Sequence, residues 1–283
     1  MTDALLDIDH LRQWIGRTET AENTVSARLV AGYLAVQDNP KPDLEVGEAA
    51  PLAIHGCLAS ATRPMSQLGP DGHPERGGLL PPVPLPYRMW AGGQIDLRGR
   101  FCVGDVVTRK SSVREVVLKS GRSGALCFVT VDHAFTGPQG LVLTERHDIV
   151  YRAACNPDAA VPVMPQAPKA RWSYSVMADP VLLFRYSAIT FNGHRIHCDR
   201  ARAIKAERYA GLVVHGPLQA TMTLEFAARL RDTPPRSFDC RGISPLIDGA
   251  AFTVEAAERD GGRHLWTAAA DGWLCMEAQA VWQ

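Results

Sequence analysis

The chain has 283 residues, is 46% hydrophobic and sets 30 Lys and Arg against 30 Asp and Glu. That length suits one large domain or two fused units of about 140 residues, with enough apolar material for a sizeable core. The charge balance excludes the basic excess of a nucleic-acid binder or of a polybasic membrane-surface protein.

From the N-terminus, the segment Met1–Asp9 is acidic and has no apolar stretch of signal-peptide length. Nowhere does the chain approach the roughly 20 apolar residues of a membrane span. Seven cysteines, at 57, 102, 127, 155, 198, 240 and 275, form no CxxC pair and read as reduced thiols. A cytoplasmic protein without membrane contact is the expectation.

The next signal is internal. Leu52-Ala53-Ile54-His55-Gly56-Cys57-Leu58 resembles Leu212-Val213-Val214-His215-Gly216-Pro217-Leu218, offset by 160 residues and identical at Leu, His, Gly and Leu. After the first copy come a Pro/Gly-rich loop (69–86) and strand-like segments at 94–97, 106–118, 125–131 and 141–151, punctuated by Gly121, Gly124, Gly137 and Gly140. Residues 153–170, with prolines at 157, 162, 165 and 168, read as an extended linker. An apolar helical run, Val181–Phe184, then leads into a polar turn. After the second copy, the pattern over Gly216–Leu230 is a helix apolar on most sides, which expects to be enclosed. Strand-like segments follow at 238–243, 251–257, 265–270 and 273–281, with turns at Asp260-Gly261-Gly262 and Asp271-Gly272. Each half thus reads as a helix followed by an antiparallel meander. The class is α+β, with units at 1–152 and 171–283, each a sheet wrapped around a central helix.

The chemistry concentrates in Thr190-Phe191-Asn192-Gly193-His194-Arg195-Ile196-His197-Cys198-Asp199. Histidine, with an unperturbed pKa of about 6.5, exchanges protons near neutrality, and an amide orients water. Asn192, His194 and His197 are therefore candidate site residues, against the plainer role of turn histidines bonded to backbone. His194, His197 and Cys198 match no zinc spacing, and no second ligand pair completes them, so no metal is expected. Gly216 starts a helix whose unpaired N–H groups can face an oxyanion, and glycine allows close approach. A simple Gly-Pro helix start explains it too, and His215, matched by His55 in the other half, reads as structural. Arg200, Arg202, Lys205 and Arg208 form a basic run suited to phosphates or to a solvated helix face. Arg88 and Trp90, in Tyr87-Arg88-Met89-Trp90-Ala91-Gly92-Gly93, suit a substrate carboxylate and an acyl wall, or a strand start with a packed tryptophan.

The 187–199 turn with 211–219 behind it resembles the MaoC-like hydratases. Within them it is similar to the branch of mitochondrial type 2 hydroxyacyl-thioester dehydratases and bacterial mesaconyl-C4-CoA (3-methylfumaryl-CoA) hydratases. Leu68–Pro74, Gly77–Val83 and Arg88–Gly93 resemble the N-terminal dehydratase-like half of the same proteins. The resemblance implies a double hotdog and reversible addition of water to a 2-enoyl-CoA, with no cofactor because coenzyme A is part of the substrate. The implied substrate is a short branched dicarboxylic enoyl-CoA such as itaconyl-CoA or mesaconyl-C4-CoA, with Arg88 and Arg195 as partners for its free carboxylate. His194, Arg195, Arg88, Trp90, Arg200 and Lys205 are then substrate-binding, and His197, Asn192 and Gly216 catalytic. Related hydratases carry Asp-x-Asn-Pro-x-His. Here His197 takes the His position and Asn192 the Asp position, and an amide cannot act as base. His197 is left to carry proton transfer. A fatty-acid 3-hydroxyacyl dehydratase, a thioesterase using Glu225 and a non-catalytic acyl-CoA-binding protein remain alternatives. A double hotdog contains its own pseudo-dimer, so monomer and homodimer both stand.

Overall fold

The computed structural model describes residues 6–121, 124–154 and 163–283. The first five residues, the turn positions 122–123 and linker residues 155–162, with Cys155, lie outside the described residues.

The strands are β1 (Thr18–Thr24), β2 (Tyr87–Leu97), β3 (Val106–Gly121), β4 (Gly124–Gly137), β5 (Gly140–Arg152), β6 (Trp172–Met177), β7 (Ser237–Gly242), β8 (Ala251–Arg259), β9 (Gly262–Ala268) and β10 (Leu274–Val281). The helices are α1 (Ile8–Arg12), α2 (Ala27–Val36), α3 (Pro180–Ile189), α4 (Arg200–Lys205) and α5 (Gly216–Arg231). All ten strands join one antiparallel sheet in the order β1-β3-β4-β5-β2-β7-β10-β9-β8-β6. The order is a mirror about the β2–β7 seam, where Gly92 faces Arg241 and Ile95 faces Phe238. Each half contributes five strands, as the internal match implies.

Alternation builds the concave face. Cys127, Val129, Val131, His133 and Phe135 point inward from β4, and Phe252, Val254 and Ala256 from β8. Helix α5 lies in the cup. Leu218 and Leu224 are fully buried, with Met222 and Phe226 nearly so. Each such side chain contributes roughly 1.5–3 kcal/mol of burial. The helix ends where Asp232 turns left-handed at φ 52°.

The N-terminal half departs from the expected central helix. There the equivalent segment is a short 3-10 helix, Leu52–Cys57, which packs against α5. The histidine-glycine match carried over, but the helix stops at Cys57: Leu58 is extended (φ −100°, ψ 141°) and Ala59 turns left-handed at φ 53°, and the prolines from Pro64 to Pro86 keep the chain that follows from re-entering a helix. That stretch instead runs out as a loop toward the C-terminal half. The described end of the linker is also less free than expected: the Ala167 N–H donates to the Gly272 carbonyl (2.9 Å) and the Leu274 N–H to the Pro165 carbonyl (2.8 Å). No helix among the described residues is long and apolar enough to cross a membrane.

Candidate active site

The site is built on the turn that leaves α3. Thr190 caps that helix through Oγ1, which donates to the Tyr186 carbonyl (2.7 Å), and Phe191 reverses the chain at φ 52°. Asn192 then closes a local turn in which its Oδ1 accepts the His194 N–H (2.9 Å). A 3-10 helix, Arg195–His197, delivers His197 inward, and Asp199 caps α4 by accepting the Arg202 N–H (3.0 Å).

His197 is buried, and its Nδ1 lies 2.7 Å from the Val213 carbonyl oxygen. A carbonyl only accepts, so Nδ1 carries the proton and Nε2 presents a lone pair. Burial, then the neighbouring His215 and His194, hold the ring well below the usual histidine range, so it is neutral. His215 stacks on it with centroids 3.6 Å apart and is itself fixed by Ser187 Oγ, 2.8 Å from its Nε2. Its expected structural role is therefore exercised on the His197 ring. Next along the chain, Gly216 opens α5. A Cβ at this position would lie 2.6 Å from Trp90 Cε3, so the glycine is required by the close approach of the indole.

The N-terminal half closes the site. Loop 69–74 docks on the 190–199 turn so closely that a Cβ on Gly72 would lie 2.0 Å from the Gly193 oxygen. The Arg195 N–H donates to the Asp71 carbonyl (2.9 Å). The loop brings two residues that sequence reasoning passed over as candidates. Asp71 Oδ1 accepts the His73 N–H (3.1 Å), and Asp71 Oδ2 faces His73 Nδ1 at 3.3 Å. The His73 ring lies against His194 at 4.3 Å, and His194 is 5.4 Å from His197. The Arg88 guanidinium sits 3.8 Å from Asp71 Oδ2. Although burial acts against it, these partners hold the Asp71 carboxyl far below its ordinary value. Burial, partly offset by Asp71, brings His73 down to about 3. The available signal was a polar Asp-Gly-His inside a Gly/Pro-rich loop, whose proximity to residue 194 the sequence does not state.

Asp71, His73 and His194 place one ligand atom each within 4.8 Å of one another, a spacing that could hold a metal. Asp71 is already engaged, however: its two oxygens face His73, and the Arg88 guanidinium stands where a second cation would compete.

Of the sequence candidates, His194, His197, Asn192, Gly216, Arg88 and Trp90 come together. Arg195 does not reach inward: its guanidinium pairs with Asp199 Oδ2 (2.5 Å) and is exposed, because the acid one helical turn on captures it. Arg200 pairs with Asp248, and Lys205 is exposed on α4. Glu225 lies mid-helix at the contact with the N-terminal half, accepting from Tyr33 Oη and the Ala53 N–H (both 3.3 Å). Its carboxyl is pushed up by burial. It holds the two halves together, away from the imidazoles.

The fold is the double hotdog of the MaoC-like proteins. A MaoC-like dehydratase from Phytophthora capsici superposes with a TM-score of 0.69 at 15% identity, covering 98% of this chain and 99% of that one. A Mycobacterium tuberculosis protein described as a double hotdog superposes at 0.59 with 14% identity, covering 94% and 95%. In sequence, the chain is 40% identical over 244 residues to the mesaconyl-C4-CoA hydratase of Chloroflexus aurantiacus, 86% of this chain and 87% of that protein. The profile of the hydroxyacyl-thioester dehydratase type 2 family matches residues 55–248, and the chain belongs to that family of hydro-lyases.

Proposed function

We propose that the protein hydrates, reversibly, the double bond of a short branched dicarboxylic enoyl-CoA such as mesaconyl-C4-CoA or itaconyl-CoA, in the cytoplasm and with no cofactor beyond the coenzyme A of its substrate. The observation that carries this reading is a set of buried polar atoms around the site without a hydrogen-bond partner among the described residues: Arg88 Nε, Trp90 Nε1 and His215 Nδ1. Native proteins rarely leave such groups unpaired, and a polar ligand is the ordinary reason for a cluster of them. Arg88 and Tyr151 face each other across β2 and β5. Together they suit the free carboxylate of a dicarboxylic acyl group, which a long apolar chain could not satisfy. Arg195, paired with Asp199, has no part in it, while Arg200 and Lys205 at the surface suit the phosphates of coenzyme A.

In this reading the thioester oxygen meets the Gly216 N–H at the start of α5, where unpaired amides and the helix dipole favour developing negative charge. Water on Nε2 of His197, with the Asn192 amide group beside it, adds to the β-carbon. The water proton passes to imidazole and on to the α-carbon. Purified protein with mesaconyl-, itaconyl-, crotonyl- and long-chain enoyl-CoA, followed at the enoyl-thioester absorbance beside a free-thiol count, tests this. Loss of the band at constant thiol, fastest for a dicarboxylic substrate and abolished in His197→Ala, is expected. A rising thiol count means hydrolysis and would overturn the reading.

A further inference from the structure

The hydratase reading leaves one question: which imidazole takes the proton. The catalytic turn has no carboxylate where related hydratases have Asp. Asn192 stands there, and its Oδ1 is committed to the His194 N–H. His197 is hydrogen-bonded through Nδ1 to a neutral carbonyl, which offsets a positive charge on it less than a carboxylate would, and is stacked on another imidazole. Glu207 reaches only to 3.8 Å of His194 Nε2, too far for a hydrogen bond.

Resting on the hydration reading above, we propose that His73, held by Asp71 on the loop of the N-terminal half, is the proton acceptor of the reaction, while His197 holds the water. The carboxylate missing from the turn is thereby supplied in space by the other half of the chain. Asp71 is ionised and only accepts, so His73 Nδ1 must donate to it, which fixes the tautomer with Nε2 as the free lone pair. The same carboxylate stabilises the imidazolium that forms, as the third member of a triad does for its histidine. Asp71 is a positioning residue acting through His73. Gly72 belongs to the device, since no larger residue lets the loop lie on Gly193.

The step balances without a further reactant. An O–H bond of water breaks, its proton goes to His73 Nε2, and the oxygen forms the bond to the β-carbon. The double-bond pair becomes the α-carbon–carbonyl enolate, whose oxygen faces the Gly216 N–H. The enolate then takes the proton from His73 at the α-carbon, restoring the thioester and neutral histidine.

The test uses the full chain on whichever enoyl-CoA the wild type hydrates. His73→Gln is expected to lower kcat by about 100-fold or more with melting temperature unchanged, and Asp71→Asn by about 10-fold or more with a lower melting temperature because Arg88 loses its counter-charge, with KM within about threefold for both. Added imidazole restores part of the rate to His73→Ala and none to Asp71→Asn, an outcome that a purely structural role for residue 73 would not give. A His73→Gln enzyme within threefold of wild type overturns the proposal while leaving hydration intact. Loss of wild-type activity to a chelator, restored by zinc, overturns it in favour of a metal on Asp71, His73 and His194. A wild type that hydrates no substrate overturns the hydratase reading first and the assignment of His73 with it.

Discussion

Lowering the pH should unfold this protein through its buried neutral histidines. His73, His133 and His215 each sit near 3 in the folded chain, all because burial disfavours the charged ring, against about 6.5 when unfolded. A depressed folded value means that the unfolded chain binds the extra proton first. The stability these rings contribute is therefore complete above 6.5 and is lost as the pH falls from there toward 3. At pH 5 the loss is about 1.36 kcal/mol multiplied by 1.5 pH units, or roughly 2 kcal/mol for each ring. The three sum to about 6 kcal/mol, an upper figure because neighbouring imidazoles titrate together. His197 acts in the same direction, whereas His55, raised by Glu145 against its burial, stabilises the folded chain on the acid side and opposes part of the loss. Against a total stability of 5–15 kcal/mol, the change is large. Urea unfolding at pH 8, 6 and 5, with the midpoint and slope fitted at each, measures it. His133→Gln, remote from the catalytic turn and bonded through its ring to Ser111 Oγ (2.8 Å), should flatten the dependence by one ring. A midpoint constant from pH 8 to pH 5, or a His133→Gln curve parallel to wild type, would refute the reasoning.

Gly216→Ala places a methyl 2.6 Å from the half-buried Trp90 ring, about 1 Å inside ordinary contact. A loss of about 1–3 kcal/mol and a fall in kcat are expected, with Trp90→Leu recovering the stability but not the rate, read by urea midpoint and turnover. Glu225→Ala, which removes the acceptor of both bonds, should weaken the seam between the halves, lowering the melting temperature, while leaving enoyl-CoA hydration within a few-fold and any thiol release unchanged.

What the sequence disclosed depended on whether the physics was local. Helix α5 and the eight strands from β2 to β5 and β7 to β10 announced themselves by periodicity and by glycine turns. Strand β1 did not, since Thr18–Thr24 is polar throughout and mostly exposed, an edge strand bound only to β3. The central helix expected in the first half failed because a match in side-chain type over 52–58 says nothing about the backbone that follows, which is extended at Leu58 and left-handed at Ala59. In the site, His197, His194 and Gly216 could be singled out because their chemistry lies within short motifs. The pairing of Arg195 with Asp199 was overlooked although the acid stands four residues away. That of Arg200 with Asp248, 48 residues distant, has no local pattern to show it. Asp71 and His73 depend on a loop reaching over a hundred residues along the chain, a contact with no local signature.

The seating of loop 69–74 against Gly193 has a consequence for how the molecule comes into being. During synthesis the segment bearing Asp71, His73, Arg88 and Trp90 is complete before the segment bearing His197 exists, so the cluster they form comes into being only when the late-made half folds onto the early-made one. On the assignment of His73 proposed above, turnover by this chain is a report that assembly has finished.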